Sequence, residues 1–242
     1  MDAVTLADAE VPASAALAYE AQEQLIDLID SPLVGWKVGA TGPASQTKLG
    51  VKTPIYGPVF QRTLIESGHD VPLSDFHHQP GLESEFAFTI GVTLRPGGAA
   101  MNARSAKEIV STVHTAIELV CSRFDRNFDV DPALLVADGA LHAALMVGPG
   151  KDPAEVRDLS THRLRTVVNN QEIATGTGQE VLGDPYESLA WLCNHLNRRQ
   201  LTLAAGSIVT TGAATGLHTT EVGQILTTDG GTLGSASLNL VA

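Results

Sequence analysis

Cysteine is nearly absent: Cys121 and Cys193 are the only two in 242 residues, both lie in apolar stretches, and neither belongs to a metal-ligand spacing. Two cysteines cannot build the multi-bridge framework of a small stapled domain, so both are expected to be reduced core residues. Positive charge is also scarce, with 15 Lys plus Arg against 27 Asp plus Glu and a net charge of −12. Nucleic-acid binders need clustered cations to displace counterions, which removes nucleic acid and anionic membranes from the expected partners. No apolar run approaches the roughly 20 residues of a membrane-spanning helix. The opening MDAVTLADAE is acidic where a secretory leader is basic and then apolar, so a cytoplasmic location is expected. Internal repeats, low-complexity tracts and clear linkers are missing too, which predicts one domain over residues 1–242.

What is present reads as a sheet with helices alongside. The segment ASAALAYEAQEQLIDLID, residues 13–30, is rich in helix formers and ends before Pro32, predicting an N-terminal helix packed on a β-rich core. Ser105 with Glu108 has the form of a capping box, and Ile109, Val110, Val113 and Ile117 follow, predicting a second helix with His114 in its middle. A third starts at Asp184 and Pro185, with Glu187 completing the box and Leu189, Leu192, Cys193 and Leu196 as the buried stripe. RLRTVVNNQEIATG and ILTTDGGTLGSASLNL predict hairpins turning at Asn169–Glu172 and Asp229–Gly231. In the second, Ala236, Leu238 and Leu240 alternate with Ser235, Ser237 and Asn239, the period of a strand with one buried face. The fold class is therefore expected to be α+β.

Inside the hydrophobic run GLESEFAFTIG, residues 81–91, Glu83 and Glu85 sit one residue apart. On a strand they share a face with Ala87 and Thr89, while Leu82, Phe86 and Phe88 take the other. Carboxylates about 7 Å apart repel each other and are costly to desolvate unless a positive group lies between them. Glu118 sits in the equally apolar AIELVCSRF, and buried acids need partners. Three glutamates with no Cys or His cluster point to a hard ion, Mg²⁺ or Mn²⁺, with positions left over for water and substrate. The competing arrangement is a solvated face for Glu83 and Glu85, with Glu118 paired to Arg123 or Lys37; spacing alone leaves both open. Adjacent His77 and His78 point opposite ways on an extended chain, which disfavours a joint ligand role. His195 is expected to be structural, whereas His142 and His218 stand near Gly-rich turns, where imidazoles often do acid or base work.

Seven segments in order, GWKVGAT, KLGVKTPIYGPVF, GLESEFAF, IELVCSRF, LGDPYESLAWLCNHL, LAAGSIVTTGAATG and GTLGSASL, resemble the fumarylacetoacetate hydrolase superfamily. The similarity is to its 2-keto-4-pentenoate hydratase and 4-oxalocrotonate decarboxylase branch, over roughly residues 15–240. The resemblance implies a mixed β-sheet rolled into a barrel-like core with flanking helices. It also implies Mg²⁺ or Mn²⁺ held by Glu83, Glu85 and Glu118, a small-molecule 2-keto acid substrate, and a homo-oligomer. The implied reaction is that of a metal-dependent lyase, hydrating or decarboxylating a 2-keto or 2-hydroxy-dienoic acid through a metal-bound enolate. Lys37, His142 and Thr215 are the expected catalytic residues, and Thr211, Gly212, Asp138 and Arg123 the expected substrate contacts. The apolar neighbours of Lys37 are expected to lower its pKa towards the range of proton transfer.

Two departures bear on the pocket. The resemblance implies P-D-F-G where this chain has Pro54-Ile55-Tyr56-Gly57, and D-N-A-S-S-G where it has Asp138 to Ala143. Both changes make the expected cavity more apolar and leave His142 as a substitute base. Two alternatives accompany the lyase reading: an acylpyruvate-type C–C bond hydrolase, which a water-activating His–Glu pair would favour, with Glu20, Glu180, His142 and His218 as unplaced candidates, and a catalytically reduced subunit that binds a ligand or a partner.

Overall fold

The computed structural model describes residues 4–5, 10–156 and 158–242. In chain order the elements begin α1 (Ala15–Leu28), β1 (Leu33–Gly39), α2 (Pro43–Leu49), β2 (Ile55–Phe60), β3 (Leu64–Ile65), β4 (Asp70–Pro72) and β5 (Gly81–Ile90). There follow α3 (Ala103–Glu108), β6 (Val110–Val120), α4 (Pro132–Ala137), β7 (His142–Val147), β8 (Arg163–Val168) and β9 (Gln171–Thr177). The chain closes with α5 (Pro185–Arg198), β10 (Ile208–Thr219), β11 (Ile225–Asp229) and β12 (Ser235–Val241).

A seven-stranded sheet runs in the order β2-β1-β10-β5-β6-β7-β3 and a five-stranded sheet in the order β4-β12-β11-β8-β9. β1 lies parallel to β10, β3 to β7 and β4 to β12; the remaining pairs are antiparallel, so both sheets are mixed. The edge strands of the larger sheet, β2 and β3, are joined by only Gln61–Thr63. Three residues span no more than about 10 Å, so the two edges must approach each other and the sheet must curl into a half-barrel. Val59 of β2 accordingly packs with Leu145 of β7 inside the curl, together with Ala87 and Ala116.

The outer face of the curl is covered twice. Leu82, Ile117, Leu119 and Met146 pack against Leu226, Ala236, Leu238 and Leu240 of the smaller sheet. Each such buried aliphatic side chain contributes roughly 1.5–3 kcal/mol. Phe86 and Phe88 instead lie under α5, where Phe88 stacks on Tyr186 at a centroid distance of 4.9 Å. At the other end of the chain, Ser14 caps α1, and buried Gln22 donates from its amide to the carbonyls of Tyr56 at 3.0 Å and Val136 at 2.6 Å. Those bonds tie α1 to β2 and α4.

The α+β class, the rolled sheet, the N-terminal helix, α5 and both hairpins match the expectations from sequence, except that at α5 Asp184 caps the Tyr186 N–H without a box, its own N–H going to the Val181 carbonyl and not to Glu187. The helix expected from Ser105 onwards does not form as drawn. Its capping box lies one turn earlier, with Asn102 as the cap and Ser105 reaching back to it, and α3 stops at Glu108. Residues 110–120 are strand β6, and His114 is on that strand. Six β-branched residues in VSTVHTAIELV stiffen the chain towards extended structure, and β6 is buried on both faces from Val113 to Val120, which erases the alternation that marks a half-exposed strand.

Candidate metal centre

Register places the acids. β5 and β6 pair antiparallel with Glu83 directly opposite Glu118 and Glu85 opposite Ala116. Directly paired residues project from the same face, so all three carboxylates point into the curl, and one oxygen of each lies within 4.8 Å of the others. Glu85 and Glu118 are fully buried; Glu83 is half-buried and borders a cavity.

Each group is held by a neighbour. A bulge in β10 turns the Gly212 N–H onto Glu85 Oε2 at 2.9 Å. Gly212 has φ 105°, and a Cβ there would come within 2.4 Å of Thr41 Oγ1, so only glycine fits the bulge. His142 Nδ1 donates to Glu118 Oε1 at 2.8 Å, while its Nε2 contacts Thr63 Oγ1 at 2.9 Å. Lys37 Nζ donates to the Ala140 carbonyl at 2.9 Å and stands 3.4 Å from Glu118 Oε2, an ion pair too long for a good hydrogen bond. Ala140 lies in a run of three left-handed residues, Gly139, Ala140 and Leu141, with φ of 79°, 56° and 68°. For the two non-glycine residues that geometry costs about 1–2 kcal/mol each, and it aims the carbonyl at the lysine.

The acids are not satisfied from within the protein. Buried Glu85 Oε1 and Glu118 Oε2 have no hydrogen-bond donor. Burial first, then Glu118 and Glu83, drive the Glu85 carboxyl well above its usual range. Burial, opposed by Lys37 and reinforced by Glu118, pushes Glu83 up to about 7. Glu118 moves the other way, since Lys37 and His142 outweigh its burial. For Lys37, burial is the largest influence and lowers its pKa, but Glu118, Glu83 and Glu85 together reverse the sign, so the lysine is raised rather than lowered as its apolar neighbours suggested. One ammonium against three carboxylates leaves negative charge uncompensated. An all-oxygen donor set with two orphaned buried oxygens fits a hard dication such as Mg²⁺ or Mn²⁺.

Two cavities flank this cluster. The first, about 480 Å³, reaches Lys37, Glu83, Ala140, Glu180 and Thr215. The second, about 490 Å³, lies at the seam of the half-barrel and is bordered by His142, Asp138, Arg123, Arg62 and His77. Of the residues singled out from sequence, Lys37, Glu83, Glu180 and Thr215 line the first cavity, while Glu85, Glu118 and Gly212 lie behind it in the buried cluster with Lys37 and Glu83. His142, Asp138 and Arg123 face the second; the Arg123 guanidinium donates from Nε to Asp138 Oδ1 at 2.6 Å. Thr211 is buried and donates to the Phe86 carbonyl at 3.1 Å, a bond between strands. His78 Nε2 is 2.6 Å from the Phe124 carbonyl, His218 Nε2 is 3.0 Å from the Thr215 carbonyl, and Glu20 is exposed on α1. Thr63 supports the centre from outside every marked motif; Thr41, at the end of GWKVGAT, and Ala140, within residues 138–143, lie in marked segments but carry no expected role there, since a carbonyl contact such as that of Ala140 leaves no trace in residue type.

Known proteins resemble this chain in sequence and fold. Residues 38–237 match the family model described as fumarylacetoacetate (FAA) hydrolase C-terminal. A 2-keto-4-pentenoate hydratase of Burkholderia vietnamiensis is 32% identical over 204 residues, covering 82% of this chain and 76% of that one. A 4-oxalocrotonate decarboxylase of Pseudomonas putida is 32% identical over 209 residues, covering 86% and 78%. Among solved structures, the 4-oxalocrotonate decarboxylase from Pseudomonas putida G7 complexed with magnesium and adipate superposes with a TM-score of 0.86 at 29% identity, over 94% of this chain and 86% of that one.

Proposed function

This chain belongs to the fumarylacetoacetate hydrolase family, and from that premise we propose that it is a divalent-metal-dependent lyase that hydrates or decarboxylates a small 2-keto acid. The observation that carries the reading is the convergence of Glu83, Glu85 and Glu118 beside Lys37 at one end of a cavity. The names of its hydratase and decarboxylase relatives, and the magnesium in the structure of one, support it.

In this reading the three glutamates hold one Mg²⁺ or Mn²⁺, and the Gly212 N–H and His142 Nδ1–H keep two of them aimed. The dication, when bound, supplies a Lewis acid for the keto and carboxylate oxygens of the substrate. Lys37 Nζ, its pKa raised, carries a proton at neutral pH and serves as the acid that delivers it. Ala140 holds that ammonium in place through its carbonyl. Ile55 comes to the same side of Gly39 as this nitrogen and puts an apolar side chain in the cavity wall beside the acid. Thr215 offers a hydroxyl from the lining of the same cavity. The hydrolase alternative is less favoured: the one His–Glu pair at the centre is His142 with Glu118, and His142 opens onto the second cavity. Assembly as a homo-oligomer belongs to the same reading, and sedimentation velocity tests it.

Turnover of 2-hydroxypenta-2,4-dienoate or 4-oxalocrotonate, followed by loss of absorbance with Mg²⁺ or Mn²⁺ present, is the direct test. Chelator should stop it, and Lys37→Met should lower it by about 10²–10⁴-fold while metal binding persists. Turnover that is indifferent to chelator, or absence of metal binding by titration calorimetry, would overturn the proposal.

A further inference from the structure

The opposite face of β5 carries a second polar feature. Thr228 Oγ1 donates to Ser84 Oγ at 2.7 Å, Ser84 Oγ lies 2.8 Å from Thr166 Oγ1, and Thr166 Oγ1 lies 2.7 Å from Thr215 Oγ1. Ser84, Thr166 and Thr228 have no exposed surface, whereas Thr215 borders the first cavity. Four hydroxyls from β11, β5, β8 and β10 thus form a line that begins between the two sheets and ends at the site.

A hydroxyl has one proton to give and two lone pairs to accept with. Thr228 gives its proton to Ser84. Among the described residues Ser84 has one other hydroxyl partner, Thr166, so its own proton goes there. Thr166 must then give its proton to Thr215, because the reverse direction would leave a fully buried O–H without an acceptor, at a cost of about 1–3 kcal/mol. The only order in which every buried proton is bonded is Thr228 to Ser84 to Thr166 to Thr215. It leaves the Thr215 proton unspent and free to enter the cavity.

We propose that Ser84, Thr166 and Thr228 are positioning residues that fix Thr215 as a hydrogen-bond donor towards an oxygen of the bound 2-keto acid. The inference rests on the function proposed above. The oxygens of a 2-keto acid carboxylate and carbonyl are all acceptors, so a hydroxyl committed to donation matches the ligand, and hydrogen bonds in series polarise one another.

The test uses the magnesium-loaded full chain with pyruvate, a short 2-keto acid, as the calorimetric probe. Thr215→Val should weaken pyruvate binding roughly tenfold, the value of a hydrogen bond to a charged acceptor. Thr166→Val should weaken it roughly threefold to tenfold, and Thr166→Ser should restore it. The double variant should bind no worse than Thr215→Val alone, and Mn²⁺ affinity should stay unchanged throughout. Losses that multiply in the double variant, or unchanged binding by Thr166→Val, would overturn the proposal. Should Thr166→Val fail to fold, undiminished pyruvate binding by the half-buried Thr215→Val overturns it equally. Wild-type protein that binds Mg²⁺ but no pyruvate would instead remove the function proposed above, and this inference with it.

Discussion

On one face of β5, Ser84 has lost all contact with solvent and its hydroxyl is bonded on both sides; on the other, Glu85 is just as deeply buried and leaves Oε1 without a donor. The two residues are neighbours in sequence and differ in what surrounds them. Around Ser84 the protein supplies every partner. Around Glu85, Glu83 and Glu118 it supplies one ammonium, one imidazole and one amide N–H for three carboxylates. Leaving buried charge under-compensated is costly, so an unfinished polar site is evidence for a ligand, while a finished one is evidence for architecture.

Substitutions on the two faces should therefore separate stability from binding. Glu85→Gln carries the largest expected effect: Mn²⁺ affinity should fall by more than the roughly 10–100-fold typical of losing an outer partner, yet the metal-free protein should resist urea better, because a disfavoured buried charge is gone. Retained metal affinity would erase the contrast. His142→Ala should cost about 10–100-fold in metal affinity through loss of the bond that orients Glu118, read by the same titration. Ser84→Ala should do the converse, lowering unfolding free energy by about 1–3 kcal/mol while leaving Mn²⁺ affinity intact. The smallest effect concerns one proton. Burial holds the Glu83 pKa near 7 against 4.5 unfolded, so the folded metal-free protein binds that proton more tightly. That contribution to stability is complete below about pH 4.5 and is lost as pH rises through about 7. Melting at pH 5 and pH 8 with and without Mg²⁺ should show the decline only without the ion.

The acid face was legible because period-2 alternation assigns Glu83 and Glu85 to one side of a strand, and Glu118 stood out as a charge among aliphatics. Pairing of Glu83 with Glu118 across β5 and β6 is not legible, since the spacing from Ser105 to Ile117 predicts a helix where the chain forms β6. Burial of both faces of β6 removes the alternation that would have corrected the reading. Lys37 was found by its motif, yet the sign of its pKa shift was not, because the sign depends on three carboxylates from distant segments. The orientation of His142 away from the first cavity follows from the seam between β2 and β7, a tertiary property with no local signature. Ser84 lay in plain view between the two glutamates, but only the stacking of the second sheet gives its hydroxyl a role.

Joining the two rims of the larger sheet through Gln61–Thr63 makes that sheet a hoop fastened by a short buckle. The circumference of the hoop, more than any loop, sets how closely β1, β5 and β6 bring Lys37 and the three acids to a common focus. Thr63 is part of the buckle and touches His142, which in turn grips Glu118. Slackening the buckle by inserting residues would thus loosen the grip on the ion from the rim inward, without altering a single ligand.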